Sequence, residues 1–228
     1  MIQDIKDTNF DDFSNSYNAE LGNNLNKIPL QGDISFFAKH KIEILSEKFS
    51  ANESYNILDF GCGIGRNIPY LSDFFPKSNI YGTDISLQCL NYAKLMYPNA
   101  NFFELDTVPV AKFDIILVAD VLHHVNDSDI NDLIIKLCSI RSNNSAIVVF
   151  EQNPYNPITR YLVNTCPFDK NVRLLSLTAT QELFLNHGLI MKDSGYCFFF
   201  PSSFKRLYSI ESKISKIPVG GKYFAIFR

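Results

Sequence analysis

A chain of 228 residues, 46% of them hydrophobic, can enclose a sizeable apolar core and suits one domain better than two. Its net charge of −3 argues against a broad nucleic-acid surface, because phosphate binding needs clustered lysine and arginine. It contains no long uncharged apolar run, which disfavours a membrane-spanning helix.

Residues 1–7 are acidic and polar, which is unlike a secretory signal. The five cysteines are scattered and never occur at C-x-x-C spacing. This usage predicts a reduced compartment and no structural zinc. We therefore expect a cytoplasmic protein that contains no metal ion.

The first 50 residues predict a helical cap. Asp33 is placed to cap a helix over about 34–49. Apolar residues recur there at approximately helical spacing: Ile34, Phe37, Ile44, Leu45 and Phe49. Tyr17 precedes this helix in a polar stretch.

An apolar strand over 56–60 runs directly into three glycines, Gly61, Gly63 and Gly65, and a helix is predicted after them over about 66–75. Glycine is needed where the backbone takes a positive φ or approaches a ligand closely, and the helix N-terminus offers free N–H groups. A dinucleotide loop would need glycine at position 66, where the chain has Arg66. Asp59 stands two positions before the first glycine.

A second strand over 79–84 ends in Asp84, about 20 residues after the last glycine. A carboxylate at this place in a βαβ unit accepts hydrogen bonds from ribose hydroxyls. The alternative is a solvated aspartate that caps the next helix, predicted over about 87–97.

The following segments predict two more strands. The first, over 101–106, is closed by Asp106, which could equally be a turn aspartate. The second, over 113–119, is continuously apolar, as expected of a central parallel strand covered on both faces. An Asp-x-x-His-His-Val segment follows over 120–125.

Together these segments resemble the motifs of the class I S-adenosylmethionine-dependent methyltransferases. The resemblance implies a Rossmann-like, doubly wound α/β fold with a seven-stranded, mostly parallel sheet, an antiparallel edge strand and the order 3-2-1-4-5-7-6. It implies S-adenosylmethionine as the cofactor, with Asp84 on the ribose, Asp106 near the adenine and Tyr17 either over the methionine end or only packed. The residues assigned to the cofactor are Asp59, Gly61, Cys62, Gly63, Gly65, Asp84, Ile85, Asp106, Ala119 and Tyr17.

Beyond these motifs, a helix is predicted over 129–140, a fifth strand over 145–151 and a helix over 178–187. Thr178 and Gln181 have capping-box spacing at the start of that last helix, and Gly188 follows its end. Segments 189–200 and 222–227 resemble the antiparallel pair at the family's sheet edge.

The segment 151–160 contains two prolines and two asparagines and predicts a shaped loop. With Cys-Pro-Phe-Asp at 166–169, it resembles an E-[H/Q]-N-P-x-N-P segment in a subgroup linked to envelope glycans or lipid-linked sugars. Glu151, Asn153 and Asn156 either bind a polyhydroxyl acceptor or satisfy their own turn backbone.

The C-terminal apolar residues Phe204, Leu207, Ile210, Ile214 and Ile217 predict an amphipathic helix. This helix either docks onto the sheet edge or contacts a membrane surface peripherally. The aromatic run 196–200 is interpreted as core strand, with a ligand-binding role only if it is exposed.

His124 is the first candidate for a general base that deprotonates a hydroxyl acceptor, because an unperturbed imidazole titrates near neutral pH. His123 and Glu151 come next. The alternative is that both histidines only pack against the cofactor.

We interpret the whole chain, 1–228, as one methyltransferase domain with a helical cap (1–50), a cofactor-binding core (55–151) and an acceptor loop with a sheet edge (152–228). The expected reaction is O-methylation of a small-molecule or glycan-related acceptor, with no nucleic-acid partner. The alternatives are C-methylation of a quinone-like ring, a nicotinamide-dependent oxidoreductase, which Arg66 disfavours, and a non-catalytic cofactor-binding subunit.

Overall fold

Seven strands form one mixed sheet in the computed structural model, which describes residues 11, 16–27, 35–169 and 172–228. The strands are β1 (Asn56–Phe60), β2 (Asn79–Asp84), β3 (Asn101–Glu104), β4 (Phe113–Ala119), β5 (Arg141–Gln152), β6 (Met191–Cys197) and β7 (Lys222–Phe227). Their order is β3-β2-β1-β4-β5-β7-β6. The first five strands pair in parallel, whereas β7 pairs antiparallel with both β5 and β6. The predicted fold and strand order are confirmed.

The α-helices of the described residues are α1 (Tyr17–Leu25), α2 (Ser35–Lys48), α3 (Ile68–Phe74), α4 (Leu87–Met96), α5 (Ile130–Ile140), α6 (Pro157–Thr165), α7 (Leu177–Leu185) and α8 (Glu211–Ile214). Within the part of the chain that the structure describes, no helix is long and apolar enough to cross a membrane. Asp33 and Ile34 lie outside the described residues, as does the side chain of Tyr17.

The sheet is covered on both faces, which explains the continuous apolar run of β4. Ile116 and Val118 pack in one cluster with residues of α5 and α7, whereas Ile115 and Leu117 pack in another with residues of α2 and α3. Successive side chains of a strand point to opposite faces, so a strand buried on both sides is apolar at every position. The polar residues that follow β1, β2 and β4 are therefore left at the carboxyl edge of the sheet.

One predicted helix start is wrong because a different polar side chain caps the helix. Ser176, not Thr178, caps α7, since its hydroxyl accepts the Ala179 N–H at 3.1 Å. The predicted loop at 151–160 is also too long, because Asn156 accepts the Thr159 N–H at 2.9 Å and α6 begins directly after it. Proline at the first helical position costs nothing, since that N–H would have no partner anyway.

The predicted C-terminal amphipathic helix is not continuous. A 3₁₀ segment covers Ser202–Ile210, and its backbone leaves helical geometry at Phe204, with φ −98° and ψ 46°. The short helix α8 then begins at buried Glu211, whose carboxylate contacts His40 Nε2 at 2.8 Å and accepts the Phe199 N–H at 2.8 Å. A buried charge needs such partners, so Glu211 fixes this segment against α2.

Candidate functional site

The glycine segment after β1 forms part of the wall of a cavity at the carboxyl edge of the sheet. The three predicted glycines all have positive φ, and a Cβ added at Gly63 would project into open space. At Gly65 a Cβ would lie 2.8 Å from the Tyr97 ring, so this position needs glycine for packing. Gly61, Cys62 and Gly63 line the cavity. Ile85 and Ala119, predicted from the next strand ends, line it as well.

Asp84 projects into this first cavity from the end of β2. One carboxylate oxygen accepts the Gly63 N–H at 2.7 Å and the other accepts the Ser86 N–H at 2.9 Å. Burial raises the pKa of Asp84, although these backbone donors favour the charged form. The Ile85 N–H also favours the charged form. A carboxylate has about four acceptor positions, so Asp84 retains capacity to accept from a ligand in the cavity.

Asp59 lies behind the loop and not in the cavity wall. Asp59 is 1% exposed. Asn67 Nδ2 donates to both of its carboxylate oxygens, each at 3.2 Å. Asn67 itself lines the cavity, and its Oδ1 is buried without a hydrogen-bond partner. Asp59 thus orients an acceptor, Asn67 Oδ1, that sequence reasoning did not single out.

Burial raises the pKa of Asp59 to about 7, although Asn67 favours the charged form. Unfolding between about pH 4 and pH 7 therefore releases a proton, so this group costs stability increasingly as the pH rises through that window. We expect Asp59→Asn to increase the free energy of unfolding by roughly 1–4 kcal/mol at pH 8 and by much less at pH 5. Urea unfolding at both pH values measures this, and an equal gain at both would contradict it.

Asp106 is not brought into the cavity wall. The third strand ends at Glu104, and Asp106 sits exposed in a 3₁₀ turn, Leu105–Thr107, whose Leu105 does line the cavity. The predicted strand end at Asp106 is therefore wrong, while its contact with an adenine remains a prediction.

A second cavity adjoins the first, and four residues line both: Lys41, Arg66, Asp120 and His124. Its walls come from α1, α2, α6 and the segment after β6. The aromatic run predicted as core strand leaves β6 at Cys197, and Phe198, Phe199 and Phe200 line this cavity half-buried. The cavity is thus largely apolar with a polar edge toward the first.

Both predicted histidines lie at this second cavity, together with Asp169 of the Cys-Pro-Phe-Asp segment. His123 is 2% exposed, and its Nδ1 is 2.5 Å from a Glu151 oxygen. The other Glu151 oxygen accepts the N–H groups of Val121 and Leu122 at 3.0 and 2.6 Å. His123 Nε2 and His124 Nε2 lie 3.6 and 3.4 Å from Asp169 Oδ1. We call these four residues, His123, His124, Glu151 and Asp169, the histidine cluster.

Burial opposes protonation of His123, but the charges of Glu151 and Asp169 outweigh it and raise its pKa to about 10. A histidine that keeps its proton at neutral pH cannot serve as a general base. This argues against His123 as the general base, and the role predicted for His124 stays a prediction. Glu151 is occupied by backbone and His123, so it orients the cluster.

An ion-paired group that sequence reasoning missed lies where the two cavities meet. Asp120 accepts from Lys41 at 3.0 Å and also contacts Lys222. Burial opposes ionisation of Asp120, but Lys222 and Lys41 outweigh it and lower its pKa. Asp120 stood in the Asp-x-x-His-His-Val segment, whereas the lysines, on α2 and β7, gave no signal because only folding brings them together.

Asn153 and Asn156 satisfy nearby backbone groups. Asn153 is fully buried, and its amide donates to the Pro218 and Gly220 carbonyls at 3.1 and 2.8 Å. Asn156 caps α6 and donates to the Val219 carbonyl at 2.7 Å. Of the two alternatives, these contacts favour a structural role.

Residues 57–141 match a family model described as a methyltransferase domain. The chain is also similar to indole glucosinolate O-methyltransferase 5 of Arabidopsis thaliana, with 28% identity over 144 residues. That alignment covers 61% of this chain and 38% of the relative, so the chain matches well under half of the relative's length.

Solved structures share the fold. A TehB-like S-adenosylmethionine-dependent methyltransferase from Corynebacterium glutamicum has a TM-score of 0.61 and 18% identity, covering 95% of this chain and 97% of that one. An S-adenosylmethionine-dependent methyltransferase from Aquifex aeolicus has a TM-score of 0.62 and 15% identity, covering 92% and 96%. At these identities the likeness shows a common architecture.

Proposed function

We propose that this chain methylates a hydroxyl group of a small acceptor, because residues 57–141 match a methyltransferase-domain model and the sheet has the strand order expected of class I S-adenosylmethionine-dependent methyltransferases. The observation that carries the proposal is the pair of adjoining cavities. One has the glycine loop and the Asp84 carboxylate, and the other has aromatic walls and the histidine cluster.

The residues of the first cavity fit S-adenosylmethionine. Asp84 would hold the ribose hydroxyls of the cofactor. The open space at Gly63 would admit its methionine part, and Asn67 Oδ1 would accept a hydrogen bond from the ammonium group of that part. The bound cofactor supplies an electrophilic methyl group on its sulfonium. The protein must then hold an acceptor atom in line and exclude water.

The second cavity supports a small acceptor with apolar parts and at least one hydroxyl. Phe198, Phe199 and Phe200 give it apolar surface, while His124 stands at the junction with the first cavity. We propose that the histidine cluster activates the acceptor hydroxyl for attack. A glycan-related or lipid-linked sugar acceptor is compatible with this cavity, and the resemblance of the 151–169 segment supports it.

C-methylation of a quinone-like ring is the second candidate, supported by the same apolar walls and by the Asp-x-x-His-His-Val segment. A nicotinamide-dependent oxidoreductase and a non-catalytic cofactor-binding subunit remain the alternatives of other classes. Arg66, at the position where a dinucleotide loop has glycine, counts against the oxidoreductase.

Calorimetry with S-adenosylhomocysteine and with NADH tests the cofactor. We expect the first to bind and the second not to bind. S-Adenosylmethionine labelled in its methyl group, offered with hydroxyl-bearing small molecules, then tests transfer, and NMR of the product separates O-methyl from C-methyl. Binding of NADH alone would overturn the proposal, and turnover with any acceptor would eliminate the non-catalytic alternative.

A further inference from the structure

Two imidazole rings and one carboxylate of the histidine cluster converge in the wall of the second cavity. His123, His124 and Asp169 each offer one ligand atom, and these three atoms lie within 4.8 Å of one another. The two nitrogen–oxygen distances, 3.6 and 3.4 Å, exceed the usual 2.7–3.2 Å of an N–H···O hydrogen bond. Neighbouring ligand atoms of a tetrahedral metal ion with bonds of about 2.1 Å lie about 3.4 Å apart.

We propose that His123, His124 and Asp169 bind one divalent transition-metal ion of the zinc class in the wall of the second cavity. Two imidazoles and one carboxylate suit such an ion, whereas Mg²⁺ and Ca²⁺ prefer oxygen ligands throughout. Bringing both imidazole nitrogens into the same coordination sphere requires a movement of less than about 1.5 Å.

The surroundings of His123 support this assignment independently. A histidine that ligates a metal usually donates its other N–H to a carboxylate, which fixes the tautomer and aims the ring. Glu151 stands in that position at 2.5 Å from His123 Nδ1, and it is itself held by two backbone N–H groups. The nitrogen left over, Nε2, is the one that faces Asp169.

The local charge also favours a cation. Three carboxylates, Asp120, Glu151 and Asp169, are grouped around the two histidines, and Lys41 and Lys222 pair with Asp120. Binding of the ion would displace the proton that His123 otherwise holds, and with both imidazoles then neutral the group carries a net negative charge. A divalent ion bound by three protein atoms also keeps open positions, and all three ligands line the second cavity.

The consequence for the reaction rests on the function proposed above. An ion in this wall would bind a hydroxyl or carbonyl oxygen of the acceptor and lower the pKa of the hydroxyl, whose proton would pass to solvent water before the oxygen attacks the methyl group. His124 would then act as a ligand and not as a free base. The acceptor would then be a molecule that offers one or two oxygen donors to a metal, such as a vicinal diol or a hydroxy-carbonyl compound. The expectation of no metal ion followed from the cysteine spacing, whereas the site proposed here is formed by histidines and an aspartate.

The test uses the full chain, purified without a polyhistidine tag and freed of metal with a chelator. After equilibrium dialysis with Zn²⁺ we expect about one tightly bound equivalent, and with Co²⁺ we expect the visible absorption of a four- or five-coordinate site. Mg²⁺ should not displace either ion. His124→Ala and Asp169→Asn should each weaken Zn²⁺ binding at least tenfold, and Glu151→Gln should weaken it about 10- to 100-fold.

His187→Ala is the matched control, because His187 follows α7 and lines neither cavity. It should bind Zn²⁺ as the wild type does. Circular dichroism and binding of S-adenosylhomocysteine establish that each variant is folded. Wild-type protein that binds S-adenosylhomocysteine but no stoichiometric Zn²⁺ would overturn the metal site alone. If Zn²⁺ bound to His124→Ala and to Asp169→Asn as tightly as to the wild type, the assignment of these residues as ligands would be overturned.

Discussion

Asp84→Ala is expected to weaken binding of S-adenosylhomocysteine at least about 100-fold, since each hydrogen bond to a charged group contributes about 1.5–3 kcal/mol. The carboxylate stands in the first cavity with both oxygens already oriented by the Gly63 and Ser86 N–H groups. Such a preoriented acceptor pair should contribute more than an exposed one. Titration calorimetry with purified protein measures the effect directly.

Two further variants make this result specific. Asp84→Asn keeps one carbonyl oxygen and should lose less affinity than Asp84→Ala. Asp73→Ala removes an exposed carboxylate from α3 and should leave the affinity within about twofold, as surface substitutions usually do. If Asp84→Ala bound S-adenosylhomocysteine with unchanged affinity, the prediction would be wrong and Asp84 would only order the turn before α4.

His124→Ala should reduce turnover at least about 100-fold while S-adenosylhomocysteine affinity changes less than about threefold. His124 lines both cavities, and its side chain is 13% exposed, so it can reach an acceptor at their junction. Initial rates with a methyl-labelled cofactor and a competent acceptor, set beside the calorimetric affinity, separate the two effects.

The control for this comparison is again His187→Ala, which should retain wild-type turnover. If His124→Ala lost cofactor affinity in proportion to turnover, His124 would be a packing residue of the first cavity. If neither quantity changed, activation would have to come from elsewhere at the junction, where Lys41 and Asp120 stand.

Most residues of the first cavity that we assign to the cofactor could be predicted from the sequence, because they lie close to one another along the chain. Asp59, the three glycines and Asp84 lie within one βαβ unit, whose geometry follows from apolar strands, a short turn and a helix. The same reasoning failed at Asp106, because the end of an exposed edge strand is not marked by hydrophobicity. Asp59 was assigned to the cofactor from its place before the glycines, and the fold puts it behind the cavity wall, which Asn67 lines.

The structure of the segments after β5 was harder to predict from the sequence. Helix α6 escaped prediction because its turn residues, Asn156 and Pro157, mark a helix start as readily as a loop. The break at Phe204 accompanies the burial of Glu211 beside His40, a contact between residues far apart in the chain.

The sequence by itself indicated the individual strands and the loop that faces the first cavity, because periodicity, glycine spacing and strand-end carboxylates are short-range signals, whereas the strand order was implied by the family resemblance. Only the tertiary structure decided that Lys41 and Lys222 meet Asp120, and that Asp169 faces both histidines. These contacts join α2, β7 and the segment after α6 to the end of β4. Their pairing depends on how the helices and the sheet edge pack, and no local pattern encodes that.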